Sequence, residues 1–203
     1  MQRMSVNEAI DLIQNADLCE LGRMAYERKL ALHPQKITTF IVDRNINYTN
    51  ICWVDCKFCA FCRRVKDGDA YILSYDEIDA KIDELLAIGG TQILFQGGVH
   101  PSLKLSWYED LIDHIAKKYP QITIHGFSAE EIDYIAQISK LSYKDVLKKL
   151  QAKGLYSIPG AGAEILSDRV RQIIAPKKIK SQAWLDIHNA AHEIGMKTTA
   201  TMM

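Results

Sequence analysis

Cys52-Trp-Val-Asp-Cys56-Lys-Phe-Cys59 sets three cysteines at C-x3-C-x2-C spacing on one short loop. A structural zinc site takes four ligands in a closed tetrahedral shell. Three thiolates on one loop suit instead a [4Fe–4S] cubane with three irons anchored to protein and one left open for chemistry. Cys62, three residues beyond Cys59, supplies the competing reading of a four-thiolate zinc site. Closing a tetrahedron from four cysteines so near in sequence needs a second, distant knuckle, and no cysteine follows Cys62. Cys62 is therefore read as a small buried apolar residue beside the cluster.

Working outward from this loop, strand and helix alternate. The β-branched stretch Lys36–Asp43 precedes the loop and reads as a first strand. Thr91–Gln96, Gln121–Phe127, Leu155–Ile158 and Lys197–Met203 read as four more. Helices fill the intervals. Ser74 with Glu77 forms a capping box before Ile78, Ile82, Leu85 and Leu86 at helical spacing, and Gly89-Gly90 ends that helix. Ser106 with Glu109 reads as the cap of a helix stopped by Pro120. Ser128–Ile138, Ser142–Lys153, Ser167–Ile174 and Ser181–Ile194 complete the series. Near-continuous apolar strands separated by helices mean an α/β fold with a parallel sheet. Without a dinucleotide-type glycine fingerprint, the repetition favours a TIM-type (β/α) barrel over a doubly wound sheet. Eight strands take about 250 residues, so a 203-residue chain with five visible strands is expected to be a truncated piece of a longer enzyme.

Two helices precede the barrel, within about residues 1–35. Ser5 and Glu8 cap the first, and Ala9, Ile10, Leu12 and Ile13 form its apolar stripe. The second runs from Leu18 to Leu32, ends at His33-Pro34, and carries Cys19 as an expected core thiol. Lysine plus arginine equals aspartate plus glutamate, which argues against a nucleic-acid surface or a polybasic membrane anchor. No apolar run approaches the length of a membrane span. Five cysteines, four of them bunched, are unlike a secreted disulfide framework. The expectation is a cytoplasmic enzyme with neither nucleic-acid nor membrane partners.

The cysteine loop resembles that of the radical S-adenosylmethionine enzymes. Within them, several stretches are similar to the cyclic dehypoxanthinyl futalosine synthase family of menaquinone biosynthesis. They are Asp43–Cys52, the run on to Arg63, Gln96-Gly-Gly-Val-His-Pro101, His125-Gly-Phe-Ser-Ala129, Ile158–Leu166 and Thr198–Met203. The match is collinear, and it departs at Cys62, where the family pattern leads one to expect tyrosine. The resemblance implies a [4Fe–4S] cluster on Cys52, Cys56 and Cys59, and S-adenosylmethionine as cofactor. It implies a small nucleoside-derived substrate and a one-electron donor such as a flavodoxin or ferredoxin. Hydrogen abstraction from the substrate ribose by a deoxyadenosyl radical, then attack on the aromatic ring, would close the new ring. Aminofutalosine synthase and the deazaflavin-precursor synthases share the loop and the glycine turn and stand as the alternative. A non-catalytic metal-binding module is the alternative from another class.

In a barrel the chemistry gathers where strands end, and the remaining candidates fall there. Gly97 and Gly98 either receive the amino group of S-adenosylmethionine, as the resemblance implies, or make a plain turn. Phe58 lies against adenine by the same resemblance, or packs the loop. Glu164 is read as a holder of the ribose diol or ammonium, because its small-residue loop gives a carboxylate few structural duties. Arg171 is either a partner for the methionyl carboxylate or a solvated helix arginine. Ser128 and His100 are assigned to the substrate side, with an N-cap and a His-Pro turn as their structural readings. No residue is singled out as the catalytic acid or base.

Alanine at Cys52, Cys56 or Cys59 is expected to abolish cluster assembly in anaerobically reconstituted protein, followed by iron content and visible absorbance. Cys62→Ala should leave assembly intact, and a zinc-filled site that needs Cys62 would overturn the three-thiolate reading.

Overall fold

A computed structural model of the protein describes residues 4–35 and 37–202. It divides into two compact units, Met1–Phe40 and Ile41–Met203. The first contains α1 (Val6–Asn15) and α2 (Leu18–Leu32). Ser5 and Glu8 form the expected capping box, and α2 ends at His33. Neither helix has a buried residue, and Cys19 is exposed rather than a core thiol. A unit of forty residues has too little interior to bury both helix stripes.

In the second unit, β1 (Asp43–Asn47), β2 (Gln92–Gln96), β3 (Thr123–Gly126), β4 (Leu155–Ile158) and β5 (Lys197–Thr198) form one parallel sheet among the described residues. The spatial order is β1-β2-β3-β4-β5. A doubly wound sheet reverses direction at a switch point, whereas a barrel wall adds each strand beside the last. The sequential order is therefore that of a (β/α) barrel wall. The connections carry α3 (Tyr75–Ala87), α4 (Leu105–Lys118), α5 (Ala129–Ser139), α6 (Tyr143–Lys153), α7 (Asp168–Ile174) and α8 (Ser181–Glu193). None of the helices among the described residues is long and apolar enough to cross a membrane.

The first strand lies later than its composition suggested. Apart from Lys36, outside the described residues, the stretch expected as a strand is extended coil up to Val42. Ile37, Phe40 and Ile41 are 65%, 86% and 60% exposed. The paired residues are instead Asp43-Arg-Asn-Ile-Asn47, which run in register with Gln92–Gln96. Strand preference reports fit to a half-buried pleated surface, and here the polar segment has that fit through Ile46. β5 is also shorter than expected: apart from Met203, outside the described residues, the expected strand Lys197–Met203 pairs with β4 through Lys197 and Thr198. Beyond them, the Thr199 hydroxyl accepts from the Gly160 N–H at 2.9 Å and Thr201 donates to the Gly160 carbonyl at 2.8 Å.

One face of the sheet is apolar. Ile46, Ile93, Phe95 and Ile124 point to the helix layer and meet Ile82, Leu111, Ile115 and Ile132. The alternate positions, Asn45, Asn47, Gln92, Leu94, Gln96 and His125, share the opposite face by register and are polar except for Leu94. Ser74, Ser128 and Ser142 cap α3, α5 and α6 through the backbone N–H three residues on. Ser106 does not cap α4. The helix begins at Leu105, where burial of Leu105 and Tyr108 on one face draws Leu105 into the first turn.

Gly154 ends α6 at φ +120°, and a Cβ there would lie 2.6 Å from the Ala116 Cβ on α4. Gly154→Ala is expected to cost about 1–3 kcal/mol through backbone strain and overpacking. A urea melt should show a lower midpoint at unchanged m-value. The penalty should shrink in an Ala116→Gly background.

Candidate functional site

The segment after β1 is held by backbone bonds rather than by regular structure. Gly98 donates its N–H to the Thr49 carbonyl at 2.8 Å, and Trp53 donates to the Val99 carbonyl at 3.1 Å, so the loops after β1 and β2 are stitched together. Cys52 and Arg63 carry this pairing across the cysteine loop, with Cys52 N–H to Arg63 carbonyl at 3.0 Å and Arg63 N–H to Asn50 carbonyl at 2.9 Å. Asn50 spans to the return strand through the Asp69 carbonyl and the Tyr71 N–H. Asp55 takes a left-handed conformation at φ 61°, and the Cys59 N–H turns back to the Cys56 carbonyl at 3.0 Å.

These constraints bring Cys52, Cys56 and Cys59 to the wall of one open cavity of about 260 Å³. Phe58, Gly97, Gly98, Ser128 and Glu164 line the same cavity, from sequence positions spread over more than a hundred residues. Among the described residues no three His, Cys, Asp or Glu side chains are grouped closely enough to hold a single metal ion. A cubane binds each thiolate at a different iron, so it needs three thiols around a shared space. That is the arrangement present, and the donor set fits the group. Cys62 also reaches the cavity, but it is half-buried rather than buried, and its thiol donates to the Cys52 carbonyl at 3.4 Å. Burial pushes the Cys56 thiol up to about 11, and Lys178 opposes the shift. Ligation requires the thiolate, so loading the site releases protons.

In the glycine pair the Gly97 N–H donates to Glu131 at 3.1 Å and the Gly98 N–H to Thr49, so both amides are already paired, and an amino group would turn to carbonyls rather than to these donors. The pair also permits close packing. A Cβ on Gly97 would lie 2.6 Å from the Tyr48 ring, and one on Gly98 would lie 2.3 Å from the Ile51 carbonyl oxygen.

Three site residues were invisible in the sequence pattern. Glu131 is buried at the first turn of α5 and gathers four hydrogen bonds. The Tyr48 hydroxyl, the Gly97 N–H, the Ser128 N–H and the Ser128 hydroxyl all donate to it. Burial raises its pKa, and these donors pull in the other direction. Glu130, 6% exposed, accepts the Ile179 N–H, and burial pushes its carboxyl up to about 7. Lys178, its side chain 8% exposed, pairs with Glu164 at 2.8 Å and lies 5.4 Å from the centre of the Phe58 ring. Glu164 thus has a structural duty that its loop sequence did not suggest. It also sits at φ 48°, a left-handed position rarely taken by a non-glycine residue.

Two expected residues lie elsewhere. Arg171 is neither solvated nor on the cavity wall. It is 3% exposed, and its guanidinium donates to the carbonyls of Gly162, Ala163, Ile165 and Ile179. His100 is buried away from the wall, where its Nδ1 accepts the Ser102 N–H at 3.1 Å, which is the turn role. Ser128 does both jobs: it lines the cavity and caps α5.

With this geometry in hand, comparison with known proteins is direct. Residues 46–203 match the family model of the Radical SAM superfamily. Cyclic dehypoxanthine futalosine synthase of Halalkalibacterium halodurans is 40% identical over 202 residues, covering 100% of this chain and 55% of that protein. The 5-amino-6-(D-ribitylamino)uracil–L-tyrosine 4-hydroxyphenyl transferase of Nostoc sp. is 43% identical over 170 residues, covering 81% of this chain and 44% of that one. The chain thus spans about half the length of the curated relatives it matches. A crystal structure of HydG, a maturase of the [FeFe]-hydrogenase, superimposes with a TM-score of 0.72 over 97% of this chain and 42% of its own, at 17% identity, a likeness of fold. On the family match and a similarity that runs along the whole of this chain, it belongs to the radical SAM superfamily.

Proposed function

We propose that this chain carries the cluster and cofactor machinery of a radical S-adenosylmethionine enzyme that closes a ring in dehypoxanthine futalosine. The observation that supports the reading is that two cyclases align with 99–100% of the chain at 40–41% identity; a transferase of Methanopyrus kandleri reaches 96% of it at 39%. When bound, the cluster and S-adenosylmethionine would supply radical chemistry that begins with removal of a hydrogen atom from the substrate.

The chain's own residues bind, orient and exclude. Cys52, Cys56 and Cys59 anchor three irons as thiolates. Gly97 and Gly98 let the loop after β2 pack directly on Tyr48 and on the Ile51–Cys52 backbone, which seats the cysteine loop at the cavity. The Glu164 carboxylate, held beside Lys178, accepts hydrogen bonds from a diol or an ammonium group, and the Phe58 ring flanks the same space. Ser128 sits at the N-terminus of α5, where the helix dipole favours electron-rich ligand atoms. A flavodoxin or ferredoxin is the matching class of electron donor, since the chemistry starts with one electron.

The second reading is an aryl transferase acting on a ribitylaminouracil, favoured by the 43% identity with the Nostoc enzyme over 81% of the chain. Anaerobic reconstitution of the chain as it occurs in its full gene product, offered each substrate in turn, separates the two. The cyclase reading expects 5′-deoxyadenosine and a ring-closed product from dehypoxanthine futalosine alone. Turnover of the ribitylaminouracil with tyrosine would replace it with the transferase.

Glu164→Gln should weaken S-adenosylmethionine binding about tenfold or more, because a charge-assisted hydrogen bond contributes about 1.5–3 kcal/mol. The change in the reduced cluster's EPR spectrum on adding cofactor measures it. Wild-type affinity in that titration would move Glu164 out of the cofactor site.

A further inference from the structure

Gln96 closes β2 on the polar face of the sheet and lines the thiol cavity. Its Nε2 is fully buried and has no hydrogen-bond partner among the described residues. Buried polar atoms are paired in the great majority of cases, so an orphaned donor on a cavity wall points to a partner that arrives with a ligand. Its register partner Asn47 lines the same cavity. The Asn47 Nδ2 donates to the Gln96 carbonyl at 3.1 Å, which fixes the two strand ends side by side. The pair thus sets a buried carboxamide donor without a partner beside a second carboxamide on the same cavity wall, whose oxygen is an acceptor.

We infer that Gln96, seated by Asn47, is the residue that recognises the hydroxylated part of the substrate, a ribose or ribityl chain. A hydroxyl group is donor and acceptor at once, and adjacent carboxamides present both complements. A carboxylate or phosphate would ask for donors only, and an apolar ring for neither. The face itself agrees. The inside of a TIM barrel is ordinarily packed by branched apolar residues, whereas these strands place Asn45, Asn47, Gln96 and His125 on that face, with Leu94 as the apolar residue among them. His125 lies one register step deeper than Gln96, where its Nδ1 is 2.6 Å from the Ser157 hydroxyl. This assignment rests on the radical-enzyme reading but not on which of the two reactions the protein performs, because both substrate classes carry a polyol.

The test is equilibrium binding to reconstituted enzyme, with dehypoxanthine futalosine and 5-amino-6-(D-ribitylamino)uracil as probes and a deoxy analogue of whichever binds. Gln96→Leu should weaken the polyol about tenfold, the loss expected for one hydrogen bond to a buried donor. Its affinity for S-adenosylmethionine, read from the reduced cluster's EPR spectrum, should not change. Wild-type protein should bind one deoxy analogue more weakly than its parent, and that difference should vanish in Gln96→Leu. Gln96→Glu, which keeps the shape and loses the donor, serves as the second variant should Gln96→Leu fail to assemble a cluster. A deoxy penalty that persists in the variants, a loss confined to S-adenosylmethionine, or wild-type protein that binds neither polyol overturns the assignment. Binding of a polyol without a ring-closed product sinks only the cyclase reading.

Discussion

The carboxylate of Glu131 is the point on which the site depends. It lies at the first turn of α5 and accepts from groups belonging to the ends of three strands: Tyr48 after β1, Gly97 after β2 and Ser128 after β3. Tyr48 packs its ring against Gly97, and Gly98 in turn abuts Ile51 and Cys52. A displacement at Glu131 would therefore reach the cysteine loop through two glycines that have no room to give. Burial of a carboxyl at this depth is unfavourable by itself, and four donors together with the N-terminal end of a helix compensate for it. Tyr48 extends the same arrangement into the core, where its ring meets Phe95, Trp107, Tyr108 and Phe127.

Much of this was legible from residue pattern alone. The serine caps of α3 and α5 and the span of α2 came directly from short-range chemistry, because a cap is satisfied within three residues. The three thiolates, the glycine pair, Phe58, Ser128 and Glu164 converge on one cavity because each follows a strand of a sequentially ordered sheet. The misses have a common origin in long-range contact. Asp43–Asn47 looks polar and became a strand because Gln92–Gln96 lies beside it, while the described part of the β-branched stretch before it forms no ladder and meets the next strand only where the Val42 carbonyl accepts the Thr91 N–H. Lys178 was hidden in a lysine-rich turn, where nothing local distinguishes a buried ammonium from a solvated one. Glu130 and Glu131 read as ordinary first-turn acids until their burial is known.

The polar face of the sheet explains why the first strand resisted reading. A strand whose two faces are both buried against apolar surface announces itself as a hydrophobic run. Here only one face has that character, and the other is set aside for hydrogen bonding around an open space. Composition therefore understates the strand in the region where its ends make the site.

Arg171 has a consequence for how the loop after β4 can vary. That loop has no ladder and no helix of its own from Pro159 to Leu166, and its carbonyls at Gly162, Ala163 and Ile165 converge on one guanidinium. The side chain thus acts as a piece of main chain inserted from α7, supplying the donors that a neighbouring strand would otherwise provide. A lysine brings the same charge but a single point of donation, and cannot reproduce a planar fork aimed at several carbonyls. Position 171 therefore tolerates almost no change, while within the loop Gly160, packed on the Ala200 backbone, and the positive-φ positions Gly162 and Glu164 are constrained in their own right. The conformation of this stretch is inherited from a residue outside it.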